Sequence, residues 1–108
     1  MRIRKDNPIP DQAVENDVMQ AAKIADALSH PARIRMLHFI LKANTARTTV
    51  TNKDIVQAFE YSQATISQHL SKMIIGGLIE TKKQGTSTCY FVKVGTLVTY
   101  TNTILNTK

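Results

Sequence analysis

One segment constrains the fold of this 108-residue chain more than any other: residues 62–73, with the sequence SQATISQHLSKM. Apolar side chains recur in and just after it at i, i+4, i+7 and i+8. That spacing predicts an amphipathic helix with one buried stripe, formed by Ile66, Leu70, Met73 and Ile74. Ser62 is a good N-cap and Gly77 a good C′ residue, so both ends of the helix are marked.

The opposite face of this predicted helix has an unusual composition. It is predicted to contain Thr65, Gln68, His69 and Lys72, and no acidic residue occurs in residues 62–79. An acidic group would repel phosphates, while uncharged donors and acceptors can pair with base edges. A solvated polar face is the alternative interpretation, but the lack of acids and the well-marked helix ends favour contact with DNA.

The basic residues are concentrated in the part of the chain that contains this helix. The formal net charge is +6: residues 1–29 contain four basic and five acidic side chains, and residues 30–108 contain ten and three. A positive field of this kind attracts a polyanion, either nucleic acid or an acidic membrane surface. No apolar run is long enough to span a bilayer and no signal peptide is recognisable, so we expect a cytoplasmic protein without a membrane partner.

Two helices are predicted ahead of the central part of the chain. Residues 1–10, which include Pro8 and Pro10, are expected to form a flexible arm. The first helix is predicted over residues 11–28, with one apolar side made of Val14, Val18, Ala21, Ala22, Ala25 and Leu28. Pro31 suits the first position of a second helix, predicted over residues 31–42, whose inward side chains would be Ile34, Leu37, Ile40 and Leu41.

The central part of the chain predicts a helix-turn-helix. Residues 43–50 are a predicted loop that ends in a short β segment at Thr49 and Val50. Thr51 and Asp54 fit a capping box at the start of a third helix, over residues 52–59. A short turn connects it to the polar-faced helix, so residues 52–75 form two helices of which the second would enter the major groove.

The last part of the chain predicts a β-hairpin and a final helix. Two β-like runs, residues 78–83 and 88–93, flank residues 84–87, which contain Gly85. A final helix is predicted over residues 95–106. The fold class is therefore mainly α with a small β component: a winged helix-turn-helix, in one domain over residues 11–108 with its wing at residues 78–93.

Local sequence resembles one family in matching order. Residues 27–37 (ALSHPARIRML) are similar to the start of the second helix in ArsR/SmtB-type repressors, and residues 62–70 (SQATISQHL) are similar to their recognition helix. Residues 77–79 and 89–91 are similar to their wing, so the resemblance covers residues 21–93. It implies a homodimeric bacterial or archaeal transcriptional regulator, often a repressor released by an effector, in which the first and last helices form the dimer interface.

The metal sites of that family have no counterpart here. Its metal sensors carry a cysteine pair on the third helix, where this chain has Thr51, Asn52 and Lys53. Other members bind metal through Asp and His on the last helix, and residues 95–106 contain no Asp, Glu, His or Cys. The loop over residues 43–49 is also longer than the family norm. The resemblance therefore implies no cofactor and no metal ligand.

The candidate DNA contacts lie on the polar-faced helix and the wing. Gln63, Thr65 and Gln68 are the predicted base readers, since Gln pairs with adenine and Thr contacts an edge or a thymine methyl. The remaining candidates, which would hold phosphates or the minor groove, are Ser62, Ser67, His69, Lys72, Lys82, Lys83 and Thr86. Arg47 and Lys53 could extend this footprint, and for Arg33 a backbone contact and an ion pair within the fold are equally favoured.

The other reactive side chains have structural interpretations. His30 is predicted to start a helix, His38 to be partly buried, and Cys89 to be a small packing residue in a strand. No acid pair, catalytic triad pattern or phosphate-binding glycine loop occurs in the sequence, so an enzyme is not expected.

The sequence therefore predicts a dimeric regulator that binds double-stranded DNA, with two recognition helices about 10 bp apart on an inverted repeat. The expected dimer contacts are Val14, Val18, Ala22, Ala25, Leu97, Tyr100, Ile104 and Leu105. Two alternatives stay open: a winged helix that binds proteins instead of DNA, and a metal or redox sensor of the same family. The identity and the existence of an effector are open as well.

Overall fold

The structure is a computed structural model that describes residues 12–106, with side chains described for residues 14–105. The predicted arm over residues 1–10 lies outside the described residues. Five helices and one hairpin follow in the order α1 (Gln12–Ala27), α2 (Pro31–Thr45), α3 (Asn52–Ala58), α4 (Gln63–Ile75), β1 (Ile79–Gln84), β2 (Ser87–Val92) and α5 (Val94–Asn106). The predicted winged helix-turn-helix fold is confirmed.

The core lies between α2, α3, α4 and the base of the hairpin. Its fully buried side chains are mostly branched or flexible apolar residues that follow the helical spacing of each element: Met36, Ile40, Ile55, Ile66, Met73, Leu78 and Ile79. Phe39, Phe59 and Tyr61 pack at its edge, with the Phe39 and Phe59 ring centroids 5.6 Å apart. The helix-turn-helix is therefore held by its own packing.

Helix α1 contributes to this core through a different side from the predicted one. Ile24 and Ala27 are fully buried, whereas Ala22 and Ala25 are exposed. Ala27 also lies against the end of α4, because a Cβ added at Gly76 would come within 2.8 Å of the Ala27 Cβ. The predicted apolar side of α1 omitted these two core residues, since a run of alanines makes the helical stripe ambiguous.

The prediction that residues 43–50 form a loop is wrong for its first part. Helix α2 continues to Thr45 and ends in a Schellman motif: the Thr48 N–H donates to the Ala43 carbonyl (2.8 Å) and the Arg47 N–H to the Asn44 carbonyl (3.0 Å). Arg47 occupies the left-handed C′ position with φ 60. Glycine is the usual residue there, so the sequence lacked the signal that marks this helix end.

Helix α4 ends in the same motif with the expected glycine. The Leu78 N–H donates to the Met73 carbonyl (2.9 Å), the Gly77 N–H donates to the Ile74 carbonyl (3.0 Å), and Gly77 has φ 77. The predicted capping box of α3 is also present, because Thr51 and Asp54 exchange hydrogen bonds with each other's backbone N–H.

The hairpin is tighter than predicted, with only Gly85 and Thr86 between strands that pair from Gln84 and Ser87 onwards. Strand β2 is also tied to the helices. The Asn44 side-chain oxygen accepts from the Val92 N–H (2.9 Å), and the Asn44 amide donates to the Tyr90 carbonyl (3.3 Å). The Tyr90 N–H donates to the Val50 carbonyl (2.8 Å), close to the predicted β segment. The wing is thus fixed to the end of α2.

Three predicted burials are wrong. Ile34 and Ile74, which were expected to point inward, are 53% and 43% exposed, and His38 is exposed as well. In α2 the inward side consists of Ala32, Met36, Leu37 and Ile40, so it shares Leu37 and Ile40 with the predicted stripe and has Ala32 and Met36 instead of Ile34. Including Met36 in the predicted apolar stripe would have given the correct buried side of α2.

Candidate nucleic-acid interface

Helix α4 presents its polar side chains to solvent. Ser62, Gln63, Ser67, Gln68 and Lys72 are exposed, while Ile66, Leu70 and Met73 face the core. The first turn of α4 is fixed by Ser62, whose Oγ accepts from the Thr65 N–H (3.1 Å). Rigid placement of this helix on a packed core is what a base-reading element requires.

Thr65 is more constrained than the neighbouring candidates. Its side chain is half-buried, and its Oγ1 accepts a hydrogen bond from the Ser62 hydroxyl (2.9 Å). The Thr65 hydroxyl keeps its own proton for donation, while its second lone pair and its methyl group remain available for further contacts. The Ser62 hydroxyl caps the N-terminus of α4, so Ser62 and Thr65 both help to fix the first turn of this helix.

Two shallow grooves lie on either side of the exposed face of α4. The larger, about 580 Å³, is lined by Gln68, Ser67 and Lys72 together with Arg33 of α2. The smaller, about 350 Å³, lies between Gln63, the start of α3 and strand β2. Lys53 and Thr88 line this second groove, so the structure brings Lys53 next to a predicted base reader.

His69 does not lie on the exposed face, and its predicted placement there is wrong. Its side chain is only 7% exposed, and its Nδ1 accepts a hydrogen bond from the Arg33 Nε (3.1 Å). The His30 ring lies 4.7 Å from the His69 ring, between centroids, and Tyr61 packs edge-on at 6.2 Å. At position i+4 from Thr65, His69 falls on the boundary between the two faces and turns towards α2.

The surroundings of His69 disfavour its charged form. Burial lowers the pKa of the His69 imidazole below its ordinary value of 6.5, and the nearby charges of His30 and Arg33 lower it further. Since Nδ1 accepts from Arg33, the neutral ring carries its proton on Nε2. His69 is therefore an uncharged hydrogen-bond acceptor at neutral pH.

Arg33 makes hydrogen bonds within the fold, whereas its predicted contact with the DNA backbone stays a prediction. Besides His69, it reaches the end of α1, where its Nη1 donates to the backbone carbonyl of Asp26 (3.2 Å). The residue is half-buried and makes no ion pair in these contacts. His30 caps α2 as predicted, because its Nδ1 accepts from the Ala32 N–H (3.1 Å).

The two wing lysines lie on opposite faces of the hairpin. Lys82 pairs with Cys89, and its ammonium lies 5.2 Å from the centre of the Phe91 ring. Lys83 pairs with Thr88, so it shares a face with Thr88 and Tyr90, which line the groove beside Gln63. Lys83 therefore shares its face with two residues of that groove, whereas Lys82 shares its face with Cys89 and Phe91. Thr86 lies at the exposed tip.

The residues predicted to form a dimer interface fall into two sets. Leu97 and Tyr100 pack partly against the core, and Val18 is half-buried. The others are exposed: Val14, Ala22, Ala25, Ile104 and Leu105. The structure adds Met19, Val94 and Val98, each more than half exposed, to the apolar surface of α1 and α5.

Other kinds of site find no support in the described part of the chain. Among the side chains of residues 14–105, no group of three or more His, Cys, Asp or Glu is placed to hold a metal ion. No helix within residues 12–106 combines the length and the apolar character needed to cross a membrane. Cys89 is a free, buried thiol in β2, as predicted.

Comparison with known proteins shows which family the chain resembles. Residues 30–81 match the profile of bacterial regulatory proteins of the arsR family. The chain is also 27% identical, over 92 residues, to the transcriptional repressor PagR of Bacillus anthracis, a match that covers 85% of this chain and 84% of PagR. Over this segment the chain is similar to ArsR-type helix-turn-helix regulators.

Solved structures show the same fold. An ArsR-like transcriptional regulator from Rhodococcus sp. RHA1 has a TM-score of 0.74 with 21% identity, covering 83% of this chain and 80% of that protein. A homodimeric winged helix-turn-helix DNA-binding domain from Mycobacterium bovis has a TM-score of 0.68 with 19% identity, covering 89% and 86%. The profile match spans α2, α3 and α4, the elements that carry the candidate interface.

Sequence reasoning missed two features of the interface. The connection from α1 through Arg33 to His69 joins residues that are 36 positions apart, so no local pattern reveals it. The attachment of the wing by Asn44 was hidden because the residue was assigned to a loop. The sequence signal for this attachment is the polar side chain of Asn44, which lies on the inner side of α2 once the helix is extended past residue 42.

Proposed function

We propose that this ArsR-type protein is a homodimeric repressor that reads an inverted-repeat operator with α4. The observation that carries the proposal is the solvent face of α4, where exposed Gln, Ser and Lys side chains project from a helix anchored on a packed core. Because a glutamine amide offers both a donor and an acceptor, it can make two hydrogen bonds to one adenine edge.

Within this proposal the two glutamines have the leading role. Gln63 and Gln68 are exposed at the two grooves that border α4, and Thr65 contributes its methyl group and hydroxyl at the same surface. Ser67 and Lys72 hold phosphates next to Gln68, which sets the register of the helix without reading sequence. His69 has no direct DNA contact in this proposal, because its side chain is buried.

The wing supplies the sequence-independent part of the affinity. Lys83 lies on the hairpin face that adjoins the groove beside Gln63, and Lys53 lines the same groove. Lys53 at this groove and Lys83 on the adjoining hairpin face suit a phosphate backbone that passes between α3 and the wing. The Lys82 ammonium lies over the Phe91 ring on the other face of the hairpin, so Lys82 contributes less to DNA affinity.

Dimerisation follows from the apolar surface that α1 and α5 leave uncovered. Val98, Ile104 and Leu105 are each more than half exposed along α5. The homodimeric domain from Mycobacterium bovis has the same fold. A two-fold pair of α4 helices would reach successive major grooves about 34 Å apart, which requires an inverted repeat. The repressor relative PagR supports repression as the outcome.

Regulation by a thiolate metal site is not part of the proposal. The chain has a single cysteine, and Cys89 is buried in β2 with its Sγ 3.6 Å from the Gln84 side-chain oxygen. A cysteine pair within one subunit is therefore impossible. Native mass spectrometry of the protein incubated with zinc should give the mass of the metal-free chain, and a stoichiometric zinc adduct would contradict this part.

Selection from a random pool of duplex DNA tests the proposal as a whole. We expect enrichment of an inverted repeat with half-sites about 10 bp apart. The log of the binding constant should fall with the log of the salt concentration, with a slope of about −0.9 for each phosphate neutralised. No enriched sequence, or binding that does not respond to salt, would contradict DNA reading and favour a protein-binding winged helix.

The two adjacent wing lysines give a matched test of the interface. Lys83→Ala should weaken binding to every sequence alike and reduce the salt slope by about 1. Lys82→Ala removes the same charge on the opposite face and should have a smaller effect on both quantities. Equal effects of the two substitutions would show that the wing does not meet DNA through the proposed face.

A further inference from the structure

Arg33 connects its own helix to two other helices. It belongs to α2, its Nη1 donates to the Asp26 carbonyl at the end of α1 (3.2 Å), and its Nε donates to the His69 Nδ1 on α4 (3.1 Å). The Asp26 carbonyl also accepts from the Ser29 hydroxyl (2.7 Å), so this point of the chain is held by several bonds. A rigid, planar guanidinium can make such divergent contacts with defined geometry, which a lysine ammonium does not.

The contact with α1 is favourable for a second reason. Asp26 lies in the last turn of α1, where backbone carbonyls lack partners within the helix. A positive charge at a helix C-terminus is stabilised by the helix dipole. The guanidinium therefore has a preferred position at the end of α1, and the bond to His69 ties α4 to that position.

His69 is well suited to accept this hydrogen bond from Arg33. It is buried and its pKa is lowered, so at neutral pH it is an uncharged acceptor that faces Arg33. It lies directly after Gln68, the exposed residue at the larger groove. A change in the Arg33–His69 contact would therefore act on the part of α4 that we propose to read bases.

We propose that Arg33 is a positioning residue for DNA reading, which sets the orientation of α4 relative to α1 through its hydrogen bond with His69. Because α1 belongs to the apolar pair proposed to form the dimer interface, this contact connects the dimer helices to the base-reading face. The inference rests on the proposed function, and it assigns no direct DNA contact to either residue.

Protonation of His69 should break its hydrogen bond with Arg33. The groups that face it are Arg33 and His30 from α2 and its cap, and Tyr61 from the turn before α4. A second ring proton would have to go on Nδ1, where it would meet the Arg33 Nε–H, and the new charge would lie beside a guanidinium. Acid should therefore release α4 from Arg33, while it also increases the net positive charge of the protein.

The two effects of acid on DNA binding have opposite signs, which makes them separable. Added positive charge strengthens binding to any sequence, whereas a displaced α4 weakens binding to the operator only. The ratio of specific to non-specific affinity reports the position of α4 and cancels most of the charge effect. This ratio is the quantity to measure.

The experiment uses the full chain, the operator duplex from the random-pool selection and a scrambled duplex of the same length. Arg33→Lys keeps the charge but cannot make both bonds, and we expect it to lower the specificity ratio by about tenfold. Arg35→Lys is the matched control, because Arg35 is an exposed arginine on the same helix whose Nη1 donates to the Tyr61 hydroxyl (3.5 Å) and not to His69. It should change the ratio less than about twofold. Thermal unfolding of each variant establishes that it is folded.

Two further measurements exclude a merely structural role. Acidification from about pH 7.5 to about pH 5.5 should lower the specificity ratio of the wild-type protein, and this pH dependence should be weaker in Arg33→Lys and in His69→Asn but intact in His38→Asn. In the free protein, the ¹⁵N resonance of the His69 Nδ1 should be that of an unprotonated acceptor and should shift in Arg33→Lys, not in Arg35→Lys.

The outcomes separate this inference from the proposed function. If the wild-type protein selects no sequence, the proposed function fails, and the positioning role fails with it. If the wild-type protein selects an operator but Arg33→Lys keeps its specificity ratio and its pH dependence, only the positioning role is overturned. A fall in the ratio that is the same for Arg33→Lys and Arg35→Lys would overturn it too.

Discussion

The helix-turn-helix region, taken here as α2, α3 and α4, differs from the α1/α5 pair in the exposure of its apolar side chains. Ile40, Ile55 and Ile66 of α2, α3 and α4 are fully buried within the chain. Along α5, by contrast, Val98 is 52% exposed and Leu105 is 74% exposed. The first region is buried within one chain, with Ile24 and Ala27 of α1 contributing to its core, whereas the second leaves apolar surface of the kind that partner contacts cover.

This difference assigns separate tasks to the two regions. A reading element must keep its shape when DNA is absent, and packing of α4 on a complete core achieves this. In the proposed dimer, the α1/α5 pair would set the distance between the reading elements of two chains. The contacts from Arg33 to Asp26 and from Gly76 to Ala27 are where the two regions meet.

The largest effect is expected from a charge placed on the exposed surface of α5. Val98→Glu should convert the dimer to a monomer and lower operator affinity by at least about 100-fold, because the second half-site is then no longer held at high effective concentration. Sedimentation velocity and titration with operator DNA measure the two effects.

Ile34→Glu is the matched control for that substitution. Ile34 is 53% exposed, almost the same as Val98, but it lies on α2 outside the α1/α5 pair. It should leave the sedimentation coefficient unchanged. Loss of the dimer in Ile34→Glu, or a dimeric Val98→Glu, would contradict the division between the two regions.

A smaller effect is expected where the regions meet. Gly76→Ala would place a Cβ 2.8 Å from the Ala27 Cβ, and the end of α4 would have to move away from α1. We expect a loss of about 1–3 kcal/mol in the free energy of unfolding, as for other overpacked sites. Chemical denaturation checks this value.

Gly95→Ala is the control for Gly76→Ala. A Cβ at Gly95 would meet no atom within 4 Å, and the residue lies in the first turn of α5. The substitution should leave the free energy of unfolding unchanged or raise it by up to about 1 kcal/mol. If the two glycine variants were equally stable, the close approach of α4 to α1 would be wrong.

The sequence predicted the secondary-structure elements well, and apart from His69 and Ile74 it predicted which side chains of α4 are exposed. It failed at the end of α2, where the usual residue preference does not hold. The caps of α3 and α4 follow the usual preferences, so Ser62, Thr51 and Gly77 were identified from their types. The end of α2 was missed because an arginine occupies a position that normally takes glycine.

Long-range contacts were the other source of error. His69 is a polar residue at the edge of a polar face, and only its hydrogen bond with Arg33 explains why it is buried. The face of the hairpin that each lysine occupies depends on register, which the predicted longer turn did not fix. The dimer contacts and the DNA contacts on α4 remain predictions.

The smallest effect is expected at the two Schellman motifs within the helix-turn-helix region. Arg47→Gly should raise the free energy of unfolding by up to about 1 kcal/mol, because it removes a left-handed non-glycine residue. Gly77→Ala should lower it by about 1–2 kcal/mol for the same reason. Changes of the same sign in the two variants would contradict the assigned helix ends.

The most direct test of the central claim, that the exposed face of α4 reads bases, is the specificity ratio of a glutamine variant. Gln68→Ala should lower the ratio of operator to scrambled-DNA affinity by about tenfold to 100-fold, the range of a bidentate base contact of about 1–3 kcal/mol. Gln57→Ala, the same change at an exposed position on α3, should leave the ratio unchanged. An unchanged ratio in Gln68→Ala, with weaker binding to both duplexes, would contradict the claim.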